Sequence, residues 1–330
     1  MAAPATRARR QAAVVYNPIK VDAHRLRDVV AAAESREGWR KSVWLETTVA
    51  EPGAEQARRA VADGADIVIA AGGDGTVRAV AEGLRGTDVA LALLPAGTGN
   101  LLARNLDMIL THMADSIDLA FAGRDRRIDM GVVELDRADG STEEHAFLVM
   151  AGFGLDAKMI ANANPELKRR LGWIAYVDAI ARALRDTDRV RMRIRIDDAE
   201  ERSWSVHTLI AGNCGALPGN VLLLPDAEID DGLFDIVTLR PEGFLGWVQI
   251  WAKITWENGI LRRSGSVGRK LAGMAREVRA LRYLRAERLA VRLEKPEEFE
   301  IDGDPLGEVV GFRLRVDHDS LIVRVPASAG

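Results

Sequence analysis

The fold of this chain is decided by residues 66–84, DIVIAAGGDGTVRAVAEGL. The apolar run 66–71 predicts a buried β-strand, which enters a turn made of glycines and one aspartate. An apolar face at helical spacing follows in Val77, Val80, Ala81 and Leu84. A strand, a glycine-rich turn and an amphipathic helix in this order form the repeating unit of a parallel α/β sheet.

The same unit recurs on both sides of this stretch. Downstream, the apolar run 89–94 enters Pro95-Ala96-Gly97-Thr98-Gly99-Asn100 and a further helix. Upstream, strands are predicted at 12–17 and 43–45, and helices around 26–33 and 55–62. Strands that alternate with helices predict a parallel sheet covered on both faces.

The pattern changes after about residue 128. Short strand-like runs follow at 128–135, 145–150, 190–196, 204–211, 233–239 and 289–293, with helices expected at 171–185 and about 244–284. These runs predict a mostly antiparallel β half. The predicted organisation is a disordered tail (1–10), an α/β nucleotide domain (11–128), an antiparallel β-sandwich domain (129–310) with the helical insertion 244–284, and a C-terminal segment (311–330) packing back on the first domain.

Composition limits the classes of function. The 330 residues carry a net charge of only -4, which gives no overall field for nucleic acid. The single cysteine, Cys214, cannot form an intramolecular disulfide, which favours a reducing compartment such as the cytoplasm. No run of 18 uncharged apolar residues occurs, and the basic N-terminus lacks the apolar segment of a signal peptide. Any membrane contact is therefore expected to be peripheral.

The two glycine-rich turns are candidate phosphate-binding loops. In an open parallel sheet such turns lie at the carboxyl ends of the strands, where ligands bind. Glycines let backbone N–H groups approach phosphate oxygens, and the helix that follows adds a partial positive charge. One such turn is equally consistent with a plain strand-to-helix connection, but two turns with Thr76 and Thr98 at matching places favour phosphate. Neither is a Walker loop, because no Gly-Lys-Ser/Thr follows.

Six blocks together resemble the bacterial diacylglycerol kinases, a family that includes sphingosine and ceramide kinases and is remotely similar to NAD kinases. They are NP (17–18), GGDGTVRAVAEGL (72–84), LLPAGTGNLLARNL (93–106), GFGLDA (152–157), PDAEIDDGLFD (225–235) and IDGD (301–304). Their order and spacing extend the resemblance over residues 12–325. It implies a lipid kinase that uses Mg²⁺ and ATP to phosphorylate the hydroxyl of a membrane lipid, with diacylglycerol as the expected acceptor.

The resemblance also implies a set of nucleotide-binding residues. Thr48 is the expected nucleotide-contacting threonine, with Thr47 as the alternative. Asp74 is expected to orient the Mg-nucleotide, although an aspartate at this place is also suited to capping a helix. The full set is Asn17, Pro18, Ile19, Lys20, Thr48, Gly72, Gly73, Asp74, Gly75, Thr76, Gly97, Thr98, Gly99 and Asn100.

The catalytic base is expected in the block Asp302-Gly303-Asp304. The family usually has Asp-Gly-Glu here, so Asp304 inherits the role of proton acceptor with a shorter side chain, and Asp302 is the alternative. A general base must come within about 2.6–3.2 Å of its proton, so the missing methylene matters. Without the resemblance, an Asp-Gly hairpin turn would be the preferred interpretation.

A structural magnesium site is implied at Asp231, together with the backbone carbonyls of Glu228 and Leu233. One carboxylate and two carbonyls in a tight turn suit a hard cation, and a hairpin turn without an ion is the alternative. The family's usual acidic residues are absent at Ala79 and Leu101. These departures keep open a sphingoid-base or other lipid kinase and a non-catalytic lipid-binding relative. An NAD kinase is disfavoured because no Asn-Ala-x-x-Gly-type block is found.

A membrane-docking element is predicted in residues 244–292. Trp247, Ile250, Trp251 and Ile254 form one apolar helical face, and residues 262–292 hold ten basic residues against two acids. Tryptophan-rich faces suit the headgroup boundary, and basic residues favour an anionic leaflet. The expectation is a cytoplasmic protein bound peripherally at the inner face of the cell membrane. The alternative buries this face against the β domain or a second subunit, as in a homodimer.

Overall fold

A computed structural model describes residues 10–97, 99–108, 112–154, 189–217, 221–240 and 281–327. The chain divides into two compact units. The first consists of residues 1–128 together with 319–330, and the second of residues 129–318.

The first unit is built on a parallel sheet. Its strands are β1 (Ala12–Tyr16), β2 (Val43–Glu46), β3 (Ile67–Gly72) and β4 (Ala90–Pro95), in the order β4-β3-β1-β2. All neighbours in this order are parallel. The last residues of a long strand, β16 (Asp304–Val325), extend the sheet by pairing Val323 with Leu91 of β4, again parallel. Strands β1 and β3 are buried along their whole length, as expected for a parallel sheet covered on both faces.

Among its described residues, this unit has five helices: α1 (Ala23–Glu37), α2 (Ala54–Ala62), α3 (Asp74–Leu84), α4 (Leu101–Asn105) and α5 (Met113–Ala122). Helix α1 begins where the Asp22 carboxylate accepts the N–H groups of His24 and Arg25, and it ends at Gly38 in the left-handed conformation. Its buried apolar residues join a core that contains Trp39 and Phe121 in edge-to-face contact. The spacing of the apolar residues predicted this buried face.

The second unit is antiparallel. Its strands are β5 (Arg124–Asp136, which begins in the first unit), β6 (Thr142–Phe147), β7 (Met150–Phe153), β8 (Val190–Ile196), β9 (Arg202–Val206), β10 (Thr208–Gly212), β11 (Ala216–Leu217), β12 (Val221–Leu222), β13 (Phe234–Leu239), β14 (Leu281–Ala286) and β15 (Arg288–Ile301). The order of the main strands is β14-β13-β10-β7-β15-β16. Strands β8 and β9 continue from β15, and β5 and β6 continue from β16.

Strand β15 joins the two layers of the sandwich. Residues 289–293 pair with β8, whereas residues 299–301 pair with β7. Register shifts after Arg292 and Glu298 allow the strand to bend between these partners. The core between the layers is aromatic, with Phe299 and Phe312 at 4.7 Å between ring centroids. The fold class predicted from the sequence, a parallel α/β domain followed by an antiparallel β-sandwich domain, is confirmed.

Three local expectations need correction or comment. Residues 281–284, predicted as the end of a helical insertion, form strand β14, because they pair with β13 in an antiparallel ladder. The C-terminal return to the first unit begins at Asp319 rather than at residue 311. Residues 1–9 of the predicted tail 1–10, the predicted helix 171–185 and residues 244–280 of the predicted insertion lie outside the described residues. Within the described part of the chain, no helix is long and apolar enough to span a membrane.

Candidate active site

The carboxyl edge of the parallel sheet gathers the predicted nucleotide-binding residues. Parallel strands end together, and the register pairs Tyr16 with both Glu46 and Ala71, and Gly72 with Pro95. The turns that follow the four strands therefore lie along one edge, which is where open α/β sheets bind ligands. Thr98 is outside the described residues.

The two glycine turns pack directly on each other. The N–H of Ala96 donates to the Gly72 carbonyl over 2.8 Å. A Cβ added to Gly97 would lie 3.0 Å from the Cα of Gly73, and one added to Gly72 would lie 2.6 Å from the Cβ of Thr76. Only glycine permits this close approach, so the turns present backbone rather than side chains at the sheet edge.

Asp74 connects the two turns. Its Oδ2 accepts the N–H of Asn100 at 3.0 Å, and its Oδ1 accepts the N–H of Leu101 at 2.7 Å. The carboxylate therefore caps α4, whereas the N-cap of its own helix α3 is Gly73. A Cβ added to Gly99 would lie 2.5 Å from Asp74 Oδ2. The geometry makes Asp74 a positioning residue that holds the second glycine turn against the first.

The loop after β1 is shaped by Asn17. Its N–H donates to the carbonyl of Ala71, and its Oδ1 accepts the N–H of Ile19 at 3.0 Å. Pro18, Ile19 and Lys20 are exposed at this edge. The Asn17 side chain thus closes the loop and leaves the next three residues facing solvent, where a nucleotide can reach them.

The loop after β2 separates the two candidate threonines. Thr47 is 5% exposed, and its N–H donates to the carbonyl of Tyr16. Thr48 is exposed, and its Oγ1 accepts the N–H of Glu51 at 3.0 Å. Thr48 is therefore the better placed of the two to meet a ligand at the sheet edge.

In the second unit, the block 301–304 forms a two-residue hairpin turn. Ile301 pairs with Asp304, and the turn residues Asp302 and Gly303 have φ of 50° and 88°. Two positive φ values are typical of a type I′ turn, for which Asp-Gly is a preferred sequence. The hairpin expected from the Asp-Gly sequence is thus present, and the aspartates remain candidates for chemistry within it.

The two aspartates of this hairpin have different surroundings. Asp302 is 7% exposed, and its carboxylate accepts the N–H groups of Leu148, Val149 and Met150 at 3.0, 2.8 and 3.0 Å. Asp304 begins strand β16 and is exposed. Asp302 is thus committed to backbone donors, which favours Asp304 as the acid that meets a substrate.

The predicted magnesium loop is strongly acidic. It holds five acids, at positions 226, 228, 230, 231 and 235, and Arg285 forms ion pairs with Asp231 and Asp235. Asp231 Oδ1 accepts the N–H of Leu233 at 3.1 Å, and its Oδ2 lies 3.8 Å from Arg285. Burial raises the pKa of Asp235, and the hydrogen bond from Arg285 opposes that shift. Carboxylate and carbonyl oxygens with an excess of negative charge suit a hard cation, so the donor set fits Mg²⁺.

We expect Mg²⁺ to raise the thermal stability of the wild-type protein and to lose this effect in Asp231→Asn. A ligand that binds only the folded state stabilises it by about 2.7 kcal/mol at a concentration of 100 Kd. Unfolding scans with Mg²⁺ and with EDTA measure the difference. Asp198→Asn is the matched control, because Asp198 is an exposed acid of the same unit paired with Arg288. An equal Mg²⁺ effect in wild type and Asp231→Asn would contradict this site.

Asp129 and Asn213 of this unit were not identified from the sequence, and Arg285 was predicted only as one of the basic residues of the docking element 244–292. Asp129 and Asn213 are fully buried. Asp129 lies between Ile128 and Met130 in an apolar run. A carboxylate at such a place is a sequence signal for a buried, hydrogen-bonded acid. Arg285 stands opposite Asp235 in the β13–β14 ladder, which only the strand pairing reveals.

Comparison with known proteins finds relatives of both halves. Residues 11–133 match the diacylglycerol kinase catalytic domain, and residues 149–255 match the YegS C-terminal NAD kinase beta sandwich-like domain. A Mycobacterium tuberculosis protein named diacylglycerol kinase is 32% identical over 183 residues, which cover 56% of this chain and 58% of that protein. A Pseudomonas aeruginosa protein named "Probable lipid kinase YegS-like" is 33% identical over 276 residues, which cover 82% of this chain and 80% of that protein.

Solved structures agree at the level of the fold. A diacylglycerol kinase from Bacillus anthracis superposes with a TM-score of 0.68 at 15% identity, covering 98% of this chain and 100% of that one. The family itself is shown by the sequence match to the Pseudomonas protein. The chain therefore belongs to the family of bacterial diacylglycerol kinases and YegS-like lipid kinases.

Proposed function

We propose that this protein is an ATP- and Mg²⁺-dependent lipid kinase that phosphorylates diacylglycerol to phosphatidic acid. The observation that carries the proposal is the pair of packed glycine turns at the carboxyl edge of a parallel sheet, fixed to each other by Asp74. The relatives named diacylglycerol kinase and lipid kinase support the choice of acceptor.

On the nucleotide side, the chain mainly positions phosphates. Backbone N–H groups of the turn 72–76 would hold phosphate oxygens, and the exposed loop 18–20 and Thr48 would meet the rest of the nucleotide. The turn that begins at Gly97 would shape this site, because the N–H groups of Gly97 and Asn100 already donate to Asn100 Oδ1 and to Asp74. Mg²⁺ bound with the nucleotide would neutralise charge on the phosphates. Phosphoryl transfer requires little covalent work from the protein, so this positioning supplies most of the catalysis.

On the acceptor side, Asp304 takes the proton. The lipid hydroxyl oxygen bonds to the γ-phosphorus, the bond from that phosphorus to the β,γ-bridging oxygen breaks, and ADP leaves. The hydroxyl proton passes to the Asp304 carboxylate. We assign this role to Asp304 rather than Asp302 because Asp302 already accepts three backbone N–H groups.

The wild-type protein is expected to transfer label from γ-labelled ATP to diacylglycerol in a membrane-lipid extract. Thin-layer separation of the products identifies the acceptor. Label in a sphingoid base instead would support the alternative raised by Ala79 and Leu101. Absence of labelled lipid with a folded, ATP-binding protein would favour the non-catalytic relative and contradict the proposal.

Membrane docking through residues 244–292 remains a proposal from the sequence, because residues 244–280 lie outside the described residues. Of the basic residues in the described remainder, Arg285 and Arg288 are paired with acids, and Arg282 lies 4.8 Å above the ring of Trp204. These three are therefore engaged within the second unit. A cytoplasmic location at the inner membrane face and a homodimer are likewise proposals made from the sequence.

A further inference from the structure

Leu148 and Val149 lie between β6 and β7 and are buried although they belong to no strand, and the half-buried Met150 begins β7. Leu148 and Val149 are 2% and 1% exposed. Buried backbone groups require hydrogen-bond partners, and here Asp302 and Asn213 supply them. Asp302 receives the three N–H groups of the segment 148–150 from one side.

Asn213 holds the same segment from the other side. Its backbone N–H donates to the Val149 carbonyl at 2.9 Å, and its Nδ2 lies 3.5 Å from the Leu148 carbonyl. The Nδ2 also donates to the Asp129 carbonyl at 2.8 Å. Asn213 is fully buried, and its Oδ1 has no hydrogen-bond partner among the described residues. Burying a polar side chain with one unsatisfied group costs free energy of folding. We therefore infer that the contacts of the Asn213 Nδ2 with the Asp129 and Leu148 carbonyls have a structural role.

Asp129 continues the network to the acidic loop. Its buried carboxylate accepts the N–H of Gly232 at 2.7 Å through Oδ2 and lies 2.7 Å from the ring of His318 through Oδ1. Gly232 directly follows Asp231. A continuous path of contacts therefore joins the loop 228–233 to the hairpin 301–304, and all its members belong to the second unit.

The hairpin itself is stiff enough to transmit this anchoring. The Asp302 N–H donates to the Met150 carbonyl at 2.9 Å, so Asp302 is fixed by both its backbone and its side chain. Only Gly303 separates it from Asp304, and the type I′ turn leaves these residues little freedom. The hydrogen bonds of the segment 148–150 to Asp302 therefore hold the hairpin that carries Asp304.

We propose that Asn213 is a positioning residue that, together with Asp302, fixes the hairpin bearing Asp304 and connects it to the acidic loop 228–233. The kinetic part of this inference rests on the proposed function, in which Asp304 is the base. The structural part does not, because it concerns only which backbone segments Asn213 holds.

Hydrogen exchange tests the structural part without any activity. In Asn213→Ser, whose shorter side chain cannot reach both carbonyls, the amides of 148–150 and 302–304 should exchange about tenfold faster, as expected for the loss of one net hydrogen bond. Amides of β13 and β14 should be unchanged. If Asn213→Ser does not fold, the exchange of the same amides is measured in Asp302→Asn, which weakens the bonds between the hairpin and the segment 148–150. Unchanged protection of 302–304 in a folded variant would overturn the proposal.

A double-mutant cycle tests the kinetic part. Asn213→Ser should lower kcat about tenfold with the KM for ATP unchanged, and it should cause no further loss when Asp304→Asn is already present. Thr208→Val is the matched control, because Thr208 is a fully buried polar residue of β10 that donates to the Gly154 carbonyl instead. Additive losses, or an equal fall in kcat for Thr208→Val, would refute positioning through Asp304. If the exchange of 302–304 changes as expected but the wild-type protein has no kinase activity, the proposed function is refuted and the structural role of Asn213 is retained.

Discussion

Asp304→Asn is expected to lower turnover by about 10²- to 10⁴-fold, the usual contribution of a positioned general base. The substitution keeps the volume of the side chain and removes its ability to accept the proton of the lipid hydroxyl. Binding of ATP should change little, because the nucleotide-binding loops belong to the first unit. The loss should therefore appear in kcat at saturating ATP.

Steady-state kinetics with labelled ATP and calorimetric titration of the nucleotide separate these two effects. Asp304→Glu, which restores the carboxylate on a longer side chain, should retain activity. Glu308→Gln is the matched control, since Glu308 is an exposed acid of the same strand. Asp302→Asn should lower turnover less than Asp304→Asn does. The opposite pattern would transfer the role of base to Asp302.

Asp74→Ala is expected to abolish measurable transfer while the protein remains folded. The substitution removes both acceptors that hold the N–H groups of Asn100 and Leu101. Hydrogen bonds to a charged group contribute about 1.5–3 kcal/mol each, so losing two corresponds to about a 10²- to 10⁴-fold fall in kcat/KM. The second glycine turn would then lose its anchor to Asp74 and keep the hydrogen bond from Ala96 to the Gly72 carbonyl, so its position beside the phosphates would be less firmly fixed.

Nucleotide affinity and thermal unfolding should be measured on the same Asp74→Ala preparation. Asp74→Asn keeps one carbonyl acceptor and should give an intermediate loss. Asp88→Ala is the matched control, because Asp88 is an exposed acid of the same unit that pairs with Arg127. If a folded Asp74→Ala protein transfers phosphate at the wild-type rate, the positioning role assigned to this carboxylate is contradicted.

The sequence by itself predicted those features that depend on neighbouring residues. Apolar runs ending in glycine turns predicted β3 and β4, and helical spacing predicted the buried face of α1. The sequence Asp302-Gly303 predicted a hairpin turn, because few other residues accept two positive φ values in succession. Blocks of this kind also carried the resemblance to lipid kinases, and the family is confirmed.

Strand pairing across long separations could not be read from local pattern. Residues 281–284 were predicted as helix, yet they form β14, because pairing with β13 outweighs local helical tendency. The long strand β16 and helix α5 were not predicted either. In each case the stabilising contacts come from residues distant in sequence.

The donors that each acid accepts were decided only by the tertiary structure. The sequence placed Asp302 and Asp304 two residues apart, with Asp304 the expected base by resemblance and Asp302 the alternative, and it placed Asp74 at the start of a helix. Folding brings Leu148 to Asp302 across 154 residues and Leu101 to Asp74 across 27. Local sequence thus determined the turns, since backbone preferences act between neighbours. The donors that occupy each carboxylate were determined by packing, because they come from segments that meet only in the folded chain.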